Sequence, residues 1–253
     1  MAVVTTSQVK THLLGIAPYI AAAASTEGFI EADFYAENVV AAEAEFERDT
    51  RILLTPKTIR MNPDGESSYD IEEEPLDLHR AFSRRSIRFH LRRRPVIEIL
   101  SMRYEFNDEF SVLDFPSTWL RLKKRLGVVS IVPYGTAGIA AASAGGLMFM
   151  PHLGYWAYPG GVIPRFVAID YRAGYENPED DDEYADLCMG LAAMAAERVL
   201  RRARGLLPNS VTLDGFTQNF DTVERRLEDL EKQKLAFLKK YKHRERPFVL
   251  GVL

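Results

Sequence analysis

Residues 163–205, IPRFVAIDYRAGYENPEDDDEYADLCMGLAAMAAERVLRRARG, change character part-way along, and that change decides the fold. The first part, RFVAIDY, is short, apolar and β-branched, which is strand composition. Gly174 turns the chain. Asn177-Pro178-Glu179-Asp180 then has the make-up of a helix start: an Asn cap, Pro at the first helical position, and acids where the helix dipole is positive. Tyr184, Leu187, Cys188, Leu191, Ala195, Val199 and Leu206 recur at helical spacing, and Arg198, Arg201, Arg202 and Arg204 crowd the C-terminal end. Pro208 closes the helix. The run Asp180–Glu183 lacks the alternating ligand spacing of a calcium loop, so capping accounts for it.

A mirror-image transition lies upstream. A short helix is expected near Ser7–Leu14, followed by small residues and a turn at Ser25–Gly28. From Phe29 to about Arg48, Phe29, Ile30, Phe34, Val39, Val40 and Phe46 alternate with Glu31, Asp33, Glu37, Glu43, Glu45 and Glu47, which predicts a helix with one anionic face. RILLTPKTI (51–59) then reads as extended, with Pro56 at an edge or end. Helix-to-strand near residue 50 and strand-to-helix near residue 175 bracket the intervening chain.

That intervening chain has the marks of a β-layer. RPVIEILSMRYEF (94–106) is a strand, Phe110–Phe115 a second and GVVSIV (127–132) a third. Between the last two, Trp119 and Leu120 interleave with Arg121, Lys123, Lys124 and Arg125. Two opposite charge blocks precede the layer. Asp64, Glu66, Asp70, Glu72, Glu73, Glu74 and Asp77 are followed by Arg80, Arg84, Arg85, Arg88, Arg92, Arg93 and Arg94. Such a pair is a solvated excursion, or one arm meets its opposite on a neighbouring subunit, or the arginines face a polyanion. From Leu126 to Pro164 there is no Asp, Glu, Lys or Arg. Four prolines and many glycines interrupt this run, which argues against a membrane span. Its large side chains, Leu147, Phe149, Tyr155, Trp156 and Tyr158, fit either the chain's own core or contact with another subunit.

Toward the C-terminus, Asp214-Gly215 is a turn signal, and a last helix is expected from about Thr217 to Lys242. Lys234 falls in its apolar seam and weakens it. The tail PFVLGVL reads as a strand that docks at home or on another subunit's sheet, which makes Phe248 and Val249 interface candidates.

The expected fold is therefore α+β: a helical frame (an N-terminal helix and two long C-terminal helices) with an inserted antiparallel β-layer. Residues 1–60 form the N-terminal frame, 61–165 the insertion, and 166–253 the C-terminal frame with its terminal strand. The chain has 253 residues, 47% apolar and 27% charged, which excludes wholesale disorder. Lys and Arg number 32 against 36 Asp and Glu, giving a net charge of −4, so the overall charge does not predict nucleic-acid binding. Cys188 is the single cysteine, which excludes an internal disulfide and a thiolate metal cluster. The opening residues lack a basic region followed by an apolar one, so no signal peptide is expected and synthesis is assigned to a reducing cytoplasm. The histidines are scattered, and no G-x-S-x-G, P-loop or dinucleotide fingerprint occurs. No enzyme activity, cofactor or metal is expected.

Three stretches carry a resemblance: EADFYAENVVAAEAEFERDTRILLTPKTI (31–59), the opening segment 163–205, and the β-rich RRPVIEILSMRYEF with GVVSIVPYGTAG between them. This chain resembles the head–tail adaptor, or connector, proteins of tailed bacteriophages, and its closing L-D-G and long charged helix are similar to members carrying an extra C-terminal helix. The resemblance implies a structural virion protein, made in the bacterial host cytoplasm and resident in the head–tail neck. It implies a homo-oligomeric, dodecameric ring below the portal protein, contacting a tail terminator or another neck protein. Genomic DNA would pass through the lumen without sequence recognition, and no membrane is involved. In that setting Leu147, Phe149, Tyr155, Trp156, Tyr158, Arg84, Arg85, Arg88, Phe248 and Val249 are subunit-interface candidates. Glu37, Glu43 and Glu47 are candidates for an anionic wall of the DNA channel. The alternative reading is a membrane-active or DNA-binding accessory protein.

Overall fold

A computed structural model describes residues 3–26, 28, 30–61, 69–76, 88–107, 110–132, 167–176, 182–204, 210–213, 216–219 and 221–242. The fold is α+β, and the chain divides into two compact units. Met1–Leu54 and Asn177–Leu253 form a helical unit, and Thr55–Glu176 is inserted between them.

In the helical unit, α1 (Thr6–Leu13) and α2 (Ala17–Thr26) are joined by a 3₁₀ turn and precede α3 (Glu31–Thr50). The alanines at 21–24, expected to lie between elements, belong to α2, as their helix propensity allows. α3 buries Phe34, Tyr35, Asn38, Val39, Ala42, Phe46 and Thr50, a three-and-four spacing that makes one continuous stripe. Asn38 and Thr50 are tolerated there because their side chains donate to the carbonyls of Phe34 and Phe46 one turn back. Ile30 and Val40, expected on the apolar face, are exposed instead. Arg51 adopts left-handed backbone (φ 59°) and donates its N–H to the Glu47 carbonyl, ending the helix.

The remaining long helices are α4 (Asp182–Ala203) and α5 (Asp221–Tyr241). They run antiparallel, as the ion pairs Arg204–Glu224 at one end and Lys240–Asp186 at the other require. Gly190 leaves room for the Phe237 ring: a Cβ there would lie well inside contact distance of the ring. Phe237 in turn stacks on Phe46 of α3, with ring centroids 5.3 Å apart. α5 begins later than Thr217 because β9 (Ser210–Leu213) and β10 (Phe216–Asn219) pair antiparallel, with Leu213 opposite Phe216.

The inserted unit contains two sheets. The larger has strand order β2 (Ile71–Glu73), β1 (Lys57–Met61), β8 (Val167–Ala173), β4 (Val96–Asn107), β5 (Phe110–Asp114). It is not wholly antiparallel as expected, because β2 re-enters alongside β1 in the same direction, with Ile59 opposite Ile71. β1 and β8 pair directly, Lys57 with Ala173 and Ile59 with Tyr171. That pairing draws the inserted unit outward to Thr55 and Glu176, beyond the expected limits of 61 and 165. Just past β8, Gly174 has φ 129° and lies against the Thr55 carbonyl, so no side chain fits. The smaller sheet has the order β3 (Arg88–His90), β7 (Val128–Ile131), β6 (Leu120–Lys123), antiparallel throughout.

Candidate functional site

Leu147, Phe149, Tyr155, Trp156, Tyr158, Arg84, Arg85, Phe248 and Val249 lie outside the described residues, as does the helix start Asn177–Asp180. Glu37, Glu43, Glu47 and Arg88 are described, and they fall in two different environments.

α3 does not present one free anionic face. The Glu43 carboxylate is half-buried and accepts the N–H groups of Val3 (2.6 Å) and Val4 (3.3 Å), tying the N-terminal segment to the helix. Burial pushes its pKa up, against the lowering effect of those two amides. Glu47 accepts the Leu54 N–H at 2.9 Å and holds the chain as it leaves α3. Both acids therefore serve the chain's own backbone. Glu37 alone of the three stays exposed, and it pairs with Arg202 of α4 at 2.8 Å.

The acids between them build a network that the sequence did not announce. Glu45 accepts from Arg198 at 2.7 Å and pairs with Lys234 at 2.9 Å. Lys234 also reaches Glu197 at 3.5 Å, and Glu197 pairs with Arg201, which continues to Glu231. Glu197 is only 1% exposed. Burial raises the Glu45 pKa, but hydrogen bonds from Lys234 and Arg198 outweigh it, and the net direction is down. Lys234 thus does not weaken the α5 seam: it is the cation that lets α3 and α4 each place a carboxylate against α5. The partners lie far apart in sequence, so no local spacing could have revealed them.

In the five-stranded sheet, Asp170 is met by Met61 N–H (3.1 Å), Ser101 Oγ (2.8 Å) and the guanidinium groups of Arg60 (3.6 Å) and Arg103 (3.4 Å). The next residue, Tyr171, donates its hydroxyl to Glu73 at 3.0 Å, and Arg93 closes the same carboxylate at 3.3 Å. Burial and the neighbouring Glu73 charge push the Tyr171 pKa far up, so its proton stays on. Both clusters satisfy their own acceptors and join strands together. Cys188 is half-buried, and burial followed by the Glu43 charge pushes its thiol pKa up, away from nucleophile chemistry. Among the described residues, no group of three or more His, Cys, Asp or Glu could hold a metal ion, and no helix is long and apolar enough to cross a membrane.

Arg88 belongs to a surface of the opposite kind. In the three-stranded sheet, Arg88 and Arg121 both stand opposite Ser130, and His90 and Lys123 both stand opposite Val128. Directly opposed residues share a face, as do residues two apart. Arg88, His90, Arg121 and Lys123 are all exposed, whereas Phe89 and Val129, on the other face, are buried. The outer face thus carries Arg88 and Arg121 in one row and His90 and Lys123 in the next, on either side of the half-buried Ser130 and the buried Val128. The alternation L-R-L-K in 120–123 was the available signal, and Arg121 and Lys123 were missed as site residues because only the shared pairing of β3 and β6 with β7 aligns them with Arg88 and His90.

No family model matches the chain, and no curated protein matches it.

Proposed function

We propose that this chain is a non-enzymatic structural protein of a tailed-phage virion, a head–tail connector subunit that forms a ring below the portal and links capsid to tail. One observation carries the proposal. Two of the stretches that carry the resemblance, 31–59 and 163–205, are helix-to-strand and strand-to-helix passages that pair with each other: β1 lies beside β8, and α3 is joined to α4 through Glu45–Arg198 and Glu37–Arg202. A helical frame drawn from both ends of the chain, with a β-unit inserted in sequence between them, is the organisation the resemblance implies.

A ring of identical subunits needs a heterologous interface, in which one surface meets a different surface of the next copy. The uncharged stretch 126–164 and the opposed charge blocks of 64–94 supply sequence suited to such contacts. Of the acids assigned to the DNA channel, Glu37 is the one whose carboxylate remains at the surface for that role. The portal above, a tail terminator or other neck protein below, and passing genomic DNA are the partners this reading requires.

Inactivating the gene in the phage genome that encodes the chain tests the reading. It predicts separate heads and tails that fail to join, with complementation by the intact gene in trans. Tailed, infectious particles without the chain would overturn it.

A further inference from the structure

We propose that the outer face of the three-stranded sheet is a docking surface for the phosphate backbone of duplex DNA. The proposal goes beyond the connector reading and does not depend on it. It stands on register: the pairings of β3 and β6 with β7 bring Arg88 and Arg121 into one row and His90 and Lys123 into the next, with Ser130 and Val128 between them. No carboxylate occupies these rows, and Arg88, Arg121 and Lys123 are exposed and make no ion pair among the described residues.

Single-sign charge of this density needs a reason. Lysine on an edge strand deters unwanted strand pairing, but that requires one or two charges and no alignment between strands. Here both edge strands contribute, and the cations line up across the sheet. Along β6, Arg121 and Lys123 are separated by about 6.8 Å, two strand residues. One strand of duplex DNA advances about 3.4 Å per phosphate along its axis, so the same interval spans about two phosphates. Across the sheet, Arg88 and Arg121 are two strand spacings apart, about 9.6 Å. Three cations on one face, unpaired among the described residues, with Ser130 as a neutral donor between Arg88 and Arg121, offer a polyanion several contacts at once. Arginine and lysine both bind phosphate without reading sequence.

The test uses the full-length chain and a fluorescein-labelled duplex of random sequence, read by fluorescence anisotropy. With Arg88, Arg121 and Lys123 each neutralising a phosphate, log K should fall against log salt with a slope of about −3 between about 50 and 200 mM. The triple variant Arg88→Gln/Arg121→Gln/Lys123→Gln should weaken binding at least about tenfold at the low-salt end and flatten the slope by about 2–3. Arg202→Gln, which removes an exposed but paired cation of the helical unit, should leave binding unchanged. Circular dichroism of the triple variant checks that it is folded. Absence of binding by the intact chain, or binding whose slope the triple substitution does not change, overturns the proposal. So does displacement of the duplex by polyglutamate at equal charge concentration, which would assign the face to an acidic protein. None of these results depends on whether the chain joins heads to tails.

Discussion

Every arginine of the cluster at the end of α4 meets a carboxylate: Arg198 meets Glu45, Arg201 meets Glu197 and Glu231, Arg202 meets Glu37, and Arg204 meets Glu224. On β3 and β6, by contrast, Arg88, Arg121 and Lys123 stand exposed in rows with no acid among them. The residue types are the same and their roles differ. In the helical unit charge is spent internally, fixing which turn of one helix faces which turn of another. In the small sheet it is left for an outside partner. Counting arginines along the chain does not separate the two cases. Knowing what lies opposite each one does.

Lys234 is the point at which the helical charge network is most vulnerable. Replacing it by methionine leaves Glu197 and Glu45 partly uncompensated, and should lower the unfolding free energy measured in urea by about 3 kcal/mol. The double variant Lys234→Met/Glu197→Leu should recover much of that loss, since an apolar pair can replace a buried ion pair. If the single variant is neutral, the network does not hold the helices. A related packing test is Gly190→Ala, which drives a methyl into Phe237 and should cost about 1–3 kcal/mol.

Acid sharpens the same contrast. Because the folded pKa of Glu45 is depressed, its contribution is present above its unfolded value of about 4.3 and is lost as pH falls through the folded value. Glu43 has a raised folded pKa and acts in the opposite sense, favouring the fold at low pH and withdrawing that contribution as pH rises through its folded value. Stability measured from pH 7 downward should therefore fall less steeply below about pH 4.3 in Glu45→Gln than in the unsubstituted chain. Equal steepness would contradict the assigned pairing.

Smaller effects belong to the exposed charges. Glu37→Gln breaks only the surface pair with Arg202 and should change stability by less than about 1 kcal/mol in thermal unfolding. Arg121→Gln, with no partner to lose among the described residues, should stay within about 0.5 kcal/mol. A large loss for Arg121→Gln would mean that the sheet face is already engaged within the protein.

Much of the fold was legible where the signal is local. The near-helical recurrence of Phe34, Val39 and Phe46 marked α3, the alternation in 94–106 marked β4, and the proximity of RFVAIDY to a helix pattern marked β8 and α4. Features that depend on distant partners were not legible. Nothing near Lys234 shows that Glu45 and Glu197 await it, and nothing near Asp170 shows Arg60 and Arg103 converging. The parallel step from β1 to β2 was hidden for the same reason, since strand composition does not encode direction. For the candidate site, residue types on α3 were read correctly as acidic, but the amides of Val3, Val4 and Leu54 that occupy Glu43 and Glu47 carry no side-chain signature.

Quantitative mass spectrometry of phage heads from which the tails have been detached tests the connector reading most directly. The account predicts that the chain remains on the head in a fixed, dodecameric complement relative to the portal. Its absence from both heads and tails, or a copy number that varies freely from one preparation to the next, would contradict it.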